Sequence, residues 1–309
     1  MKFSLRLNND VDAARFARLA ALAEENGFDQ VWVSNDLFLE SAAVLVTAAA
    51  GATEKIGLGV GVFNPVSMHT PEIAMIAASL HDLTGGRFNL GLGAGADRFL
   101  RWAALETRPP VARTRTAIHE LRALFAGETP PGFSPEARLA LAPLDMRIYV
   151  GGMGTRMLQL AGALADGALP LLFPPSHFAV ARQTIAEAAE RAGRDPDTLD
   201  VAACVWCSVA DDAAAARRAM AEKLAYYGPS FSPELLRRAS LEPADFTTVE
   251  EVTPAMLSLG IVGAAADVIE ACGRLVAAGA QHVSFGPPLG PDVEAAVKTL
   301  GRHVLPALS

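Results

Sequence analysis

The chain has 309 residues, 51% of them hydrophobic, with a formal net charge of −8 and a pI of about 5.3. That length supports one large core or two smaller domains, and an acidic balance without a basic stripe argues against nucleic acid as the main partner. Three cysteines (Cys204, Cys207, Cys272) suit a reducing cytoplasm better than a disulfide framework. The start MKFSLRLNND turns polar too early for a signal peptide. No uncharged apolar run reaches the roughly 18 residues that a membrane span needs.

Strand-like and helix-like segments alternate along the chain. Phe3 to Leu7 reads as a first strand. Val11 to Asn26 reads as a helix with Phe16, Leu19, Ala20 and Ala23 on one face and Gly27 as its stop. Gln30 to Val33 is a second strand, followed by the turn Ser34-Asn35-Asp36. Ser41 to Gly51 is a helix with Ser41 as a plausible cap. The segment IGLGVGVFNPVSMHTPEIAMIAASLHDLTGGRFNLGLGAG (56–95) then gives two buried strands joined by an apolar helix. A parallel pair joined in this way brings both following loops, at Asn64-Pro65 and Ala94-Gly95, to one end of a sheet. That end is where α/β proteins bind ligands.

Further along, Ala112 to Phe125 is helical, and 127–145 is a Pro- and Gly-rich excursion. Arg147 to Val150, Ala168 to Phe173 and Val201 to Val209 read as strands. They alternate with helices over Thr155 to Ala165, Phe178 to Ala192 and Asp211 to Tyr227. Residues 228–263 show no clear pattern. Ala264 to Ala278 is helical, His282 to Phe285 is an eighth strand, and Asp292 to Leu305 closes the chain. Eight strands alternating with helices predict an α/β fold of the (β/α)8 barrel type, with a doubly wound open sheet as the runner-up. No compositional break marks a second domain, so residues 1–309 are expected to form one barrel domain.

Several motifs carry chemistry. Gly151-Gly152-Met153-Gly154-Thr155-Arg156 links a strand to a helix; such a turn suits an anion, and it equally suits a tight structural turn. Gly59 and Gly61 inside a strand signal close approach of a ligand or of neighbouring packing. Asp36 could handle a proton or simply shape a turn. His69 could be a general acid or a helix-entry residue. Cys204-Val205-Trp206-Cys207 imitates a redox motif, but positions i and i+3 of a strand point to opposite faces, so neither a disulfide nor a shared metal is expected, and no metal-ligand spacing stands out elsewhere.

Taken together, VWVSNDLF, IGLGVGVFNPVSMHTPEIAM, LHDLTGGRFNLGLGAG and MLQLAGALADGAL resemble the bacterial luciferase-like flavin and deazaflavin oxidoreductases, and most nearly the methylenetetrahydromethanopterin reductase group. The resemblance implies a luciferase-like (β/α)8 barrel with an insertion, binding coenzyme F420, or alternatively FMN, over the barrel mouth. It places a bulge at Gly61-Val62, often with a non-prolyl cis bond, behind the cofactor ring. Asn35, Asn64 and Gly93-Ala94-Gly95 line the same pocket, and the phosphate falls to Gly151, Gly152, Met153, Gly154, Thr155 and Arg156. The activity implied is hydride transfer between F420 and a small organic substrate, with Asp36 and His69 as candidate proton donors. The alternatives are an FMN-dependent monooxygenase and, in another class, a non-catalytic barrel that binds a phosphorylated ligand or a protein partner. A cytoplasmic homodimer is expected. The chain departs from the family pattern at Asn35-Asp36, where Asp-His is frequent, and at NPVSMH, where NPYTRHP-like runs are frequent. Stretches 97–110 and 228–258, with Arg98, Trp102, Tyr226, Tyr227 and Phe231, are expected to cover the mouth.

Overall fold

The computed structural model describes residues 1–309 except 96, 106–108, 229–230, 232, 243–244 and 247. Parts of both expected mouth-covering stretches therefore lie outside the described residues. Nine parallel strands are found among the described residues: β1 (Lys2–Leu7), β2 (Gln30–Val33), β3 (Gly57–Phe63), β4 (Phe88–Leu92), β5 (Ile148–Gly152), β6 (Gly167–Pro170), β7 (Asp200–Val209), β8 (Ile261–Gly263) and β9 (His282–Leu289). β1 pairs with both β2 and β9, and β6 pairs with β7. The sheet is thus closed into an eight-stranded barrel, and the open-sheet alternative falls away. The ninth strand, β8, lies in the stretch the sequence left unread and adds to the last three residues of β7.

The barrel is wrapped by α1 (Ala13–Glu25), α2 (Ala42–Ala50), α3 (Thr70–Leu83), α4 (Asp97–Trp102), α5 (Pro110–Phe125), α6 (Thr155–Leu164), α7 (Phe178–Arg191), α8 (Ala213–Tyr227), α9 (Pro233–Arg237), α10 (Pro254–Leu257), α11 (Ala265–Ala277) and α12 (Val293–Thr299). Local chemistry sets several of their ends. Asp12 caps α1 by accepting from the Arg15 N–H, and Asp212 accepts from Ala214 and Ala215 at the start of α8. Ser41 makes no such bond, so the cap expected of it is absent. Gly27, at φ +81°, stops the first helix as a left-handed residue.

Two sequence motifs turn out to be joints between elements. In Leu-Thr-Gly-Gly-Arg-Phe, Gly85 and Gly86 take positive φ, and the Arg87 guanidinium donates to the carbonyls of Thr53, Ile56 and Thr84. That arginine ties the starts of β3 and β4 together. In Leu-Ala-Gly-Ala-Leu-Ala-Asp-Gly, a Cβ on Gly162 would lie 2.1 Å from the Ile185 carbonyl oxygen, so glycine lets α6 close on α7.

The barrel interior is filled by Trp32, Tyr149, Leu169, Ala202 and Cys204. Trp32 meets Tyr149 edge-on with ring centroids 5.0 Å apart, and its Nε1 donates to Gln30. Below them Asp200 gathers the Lys2 ammonium, the Tyr149 hydroxyl and the His282 imidazole. Burial alone would raise the Asp200 pKa, but His282 and Lys2 outweigh it and hold the carboxyl well below the usual range. Cys204 belongs to this interior cluster. Cys207 belongs to the core between strands and helices, so the Cys-x-x-Cys pair is split across the sheet and both thiols are free.

Gly59 makes the interior packing possible. A Cβ there would lie 2.4 Å from the Trp32 ring, which is pinned on its other sides. Overpacking of this kind costs about 1–3 kcal/mol. Gly59→Ala is therefore expected to lower unfolding free energy by about 2 kcal/mol in a urea titration. Gly154→Ala, whose Cβ would meet nothing within 4 Å, is expected to stay within about 0.5 kcal/mol of the parent. Equal effects of the two changes would refute this account of Gly59.

Candidate active site

At the C-terminal ends of the strands the barrel opens into a cavity of about 740 Å³. Its floor is Trp32. One wall comes from β3 and the loops after β4 and β5, through Gly61, Gly95 and Met153. The opposite side is aromatic and cationic: Arg6 from β1, Phe173, Trp206 from β7, Lys223 and Tyr227 from α8, and Phe231. A smaller cavity of about 250 Å³ continues along the first wall, past Asn35, Val62, Asn64 and Ser67.

The first wall is built around one bond. Gly61-Val62 is a cis peptide, and the β3–β4 register shifts between Val60 and Phe63, so the expected bulge is present. Gly61 carries no side chain into the cavity. The Val62 side chain is received by two glycines, Gly93 just past the end of β4 and Gly151 on β5. A Cβ on Gly93 would come within 2.8 Å of it, and one on Gly151 within 2.7 Å. Gly93 and Gly151 thus stand behind the wall and shape it. Asn64 is buried; its amide donates to the Ala94 carbonyl and its side-chain oxygen accepts from the Val66 N–H. It fastens the β3 loop to the Gly93–Gly95 loop. Gly95, at φ +65° and against that amide, requires glycine.

Asn35 and Asp36 sit on the loop after β2, and both reach cavity surface. That loop is organised by Asn9, a fully buried residue the sequence reading passed over. Its amide donates to the carbonyls of Asp36 and Glu40, and its oxygen accepts from Ser34 Oγ and the Asp36 N–H. Burial raises the Asp36 pKa, partly offset by Lys223. The carboxyl therefore keeps its proton to higher pH than an exposed aspartate.

His69 stands elsewhere. It is exposed at the start of α3, with Glu72 accepting from its backbone N–H and its ring near Phe133, and it lines neither cavity. The structure thus places it at a helix entry, apart from the cavity where a general acid would act. The turn Gly152 to Thr155 lies beside the mouth, with Met153 as its lining residue. Arg156 points away into a groove on the helical layer shared with Arg115 and Arg191.

Arg6, Trp32, Trp206 and Lys223 are site residues that the sequence reading did not single out. The signal was present for Arg6: in Phe3-Ser4-Leu5-Arg6-Leu7 the polar residues alternate, and period two sends them to one face. Of the residues expected at the mouth, Arg98, Tyr227 and Phe231 do line it. Arg98 stacks on Phe99, Trp102 and Tyr226 and donates to the Tyr226 hydroxyl.

The family model described as luciferase-like monooxygenase matches residues 1–282. A 5,10-methylenetetrahydromethanopterin reductase of Methanolobus tindarius is 31% identical over 99% of this chain and 100% of its own length. A putative coenzyme F420-dependent oxidoreductase of Mycobacterium tuberculosis is 30% identical over 68% of this chain and 67% of its own. The solved coenzyme F420-dependent tetrahydromethanopterin reductase of Methanopyrus kandleri superposes with a TM-score of 0.90 at 27% identity, covering 100% of this chain and 99% of that one. With its closed barrel, its bulged third strand and a family match over most of its length, the chain belongs to the luciferase-like monooxygenase family.

Proposed function

We propose that this protein is an oxidoreductase that transfers hydride between coenzyme F420 and a small organic substrate. The observation that carries the reading is the side-chain-poor wall at Gly61-Val62, continued by Gly95 and facing an aromatic wall across the cavity. A planar ring system fits between two such surfaces, and Val62 is held in the wall by Gly93 and Gly151 behind it, where a Cβ would break the packing. The relatives named for F420 support the choice of cofactor.

Gly61, Val62, Asn64, Gly95, Met153 and Asn35 would hold the ring end, with Gly93 and Gly151 supporting Val62 from behind. Gly152 to Thr155, at the start of α6, would receive the phosphate, since backbone N–H groups at a helix start favour an anion. When bound, the deazaflavin supplies or accepts hydride at a ring carbon. The chain itself positions the substrate against the ring, excludes water with Phe99, Phe173, Trp206 and Phe231, and offers at the mouth the Asp36 carboxyl, whose pKa burial raises, as the proton donor. A proton held by a positioned acid at the reacting group is worth roughly 10²–10⁴ in rate.

Titration of the purified protein with F420 and FMN in parallel tests the cofactor. F420 is expected to bind in the micromolar range and FMN at least tenfold more weakly. Absence of F420 binding at tens of micromolar would overturn the assignment, and tight FMN binding would replace it with the monooxygenase reading. Asp36→Asn is expected to lower kcat by about 10²-fold while the F420 dissociation constant changes by less than threefold. An unchanged kcat removes Asp36 from the chemistry.

A cytoplasmic homodimer goes with the same reading. Among the described residues no helix is long and apolar enough to cross a membrane. Val44 on α2 and Met75 and Leu83 on α3 are large apolar residues left exposed. Light scattering should return about twice the 32.3 kDa chain mass; the mass of a single chain would exclude the dimer.

A further inference from the structure

Although the whole chain is acidic, among the described residues the main cavity is lined by Arg6, Arg98, Arg101 and Lys223 against one carboxylate, Asp36. Among the described residues, the smaller cavity along β3 and β4 has no cation in its lining. Positive charge therefore gathers on the side away from the Gly61-Val62 wall. Arg98 is already engaged by three rings and a hydroxyl. Arg6 and Lys223 are not matched in this way. Among the described residues, neither is in an ion pair with a carboxylate.

Arg6 gives one guanidinium N–H to the Val205 carbonyl at 2.8 Å, and its buried Nε has no partner among the described residues. The Lys223 ammonium lies 4.9 Å from the Trp206 ring centroid and 4.8 Å from that of Tyr227. Ring faces compensate a partly desolvated cation only in part, and a donor left unpaired in a cavity is costly. The groups facing Lys223 are Asp10, Asp36, Arg6 and Tyr227. Burial outweighs the two carboxylates, and its pKa falls to about 8. Beside it, Phe173, Trp206 and Phe231 pack with centroids 4.8 to 5.7 Å apart and form an apolar surface.

We propose that this side of the cavity is a carboxylate subsite, and that the substrate is a small, flat, apolar acid whose carboxylate sits at Lys223 and Arg6. The inference rests on the reading of the opposite wall as the cofactor's. A carboxylate supplies what both cations lack, and the neighbouring rings take the apolar body. It also makes binding pH-dependent in one direction. Lys223 is charged below about pH 8, so affinity is full there and falls as the ammonium deprotonates above it.

The test is calorimetric titration with benzoate and with its neutral isostere benzamide, on the protein alone and on the protein saturated with F420. Benzoate is expected to bind at least about tenfold more tightly than benzamide, since one partner is a charge-assisted bond. That preference should be lost in Lys223→Met, kept in Lys223→Arg, and weaken above pH 8, with F420 affinity the same in all three chains. Equal binding of the two probes, binding of neither, or a preference that survives Lys223→Met overturns the subsite. A large loss of F420 affinity in Lys223→Met also overturns it, because the cation would then serve the cofactor. The probe preference of the parent chain needs no variant to fold. If F420 fails to bind while benzoate preference persists in the protein alone, the cofactor reading fails and the subsite stands.

Discussion

Trp32 occupies the middle of the barrel, and the mouth can hold a ligand because Trp32 stops it from being a pore. Its ring fills the interior against Tyr149, and Gly59 leaves the space that ring needs. The same ring is the floor of the cavity. Parallel barrels bury both faces of every strand, so their inward side chains must tile a closed space. In β3 this demand gives glycine at 57, 59 and 61 while Leu58 and Val60 face the outer core. Two of these glycines, 57 and 59, are packed close under neighbouring side chains, and the third opens onto the ligand cavity. One alternating strand thus serves stability at its base and recognition at its end.

The wall above that floor depends on a second close fit. Val62 is seated between Gly93 and Gly151, so β3, the loop after β4 and β5 share one side chain. A surface over which a planar group can lie must be rigid as well as flat, because binding sites work by geometry held before the ligand arrives. Backbone packed against backbone gives less rotamer freedom than side chains would. The cost is intolerance: a methyl group at 93 or 151 would push against Val62.

The sequence made the strands legible where the barrel demands unbroken apolar runs, as in Gln30 to Val33 and Val201 to Val209. It also made Gly61-Val62 legible, through resemblance, and the bulge and cis bond are there. Three features escaped it, each for a physical reason. β8 has only three residues, too few for periodicity to register. Lys223 lies on a helix whose alanines suit any neighbour, so no pattern marks its inward turn. Asn9 looks like an ordinary turn residue, yet complete burial makes it the organiser of the Asp36 loop. His69 and Arg156, in contrast, are singled out by the sequence and line neither cavity. Both sit near the mouth in sequence, but a helix start and a helical step of about 100° per residue direct their side chains elsewhere.

The two ionisable groups that face each other across the cavity are not independent. Burial raises the Asp36 carboxyl, and the positive charge of Lys223 is the main restraint on that rise. In the same way, Asp10 and Asp36 restrain the fall of Lys223. Each group therefore titrates in the field of the other, and anything that neutralises one moves the other. An anion seated at Lys223 removes the restraint on Asp36, whose carboxyl then holds its proton more firmly. A neutral ligand in the same place excludes water but leaves the restraint intact. The charge of the occupant, and not only its shape, thus sets how firmly the Asp36 carboxyl holds a proton.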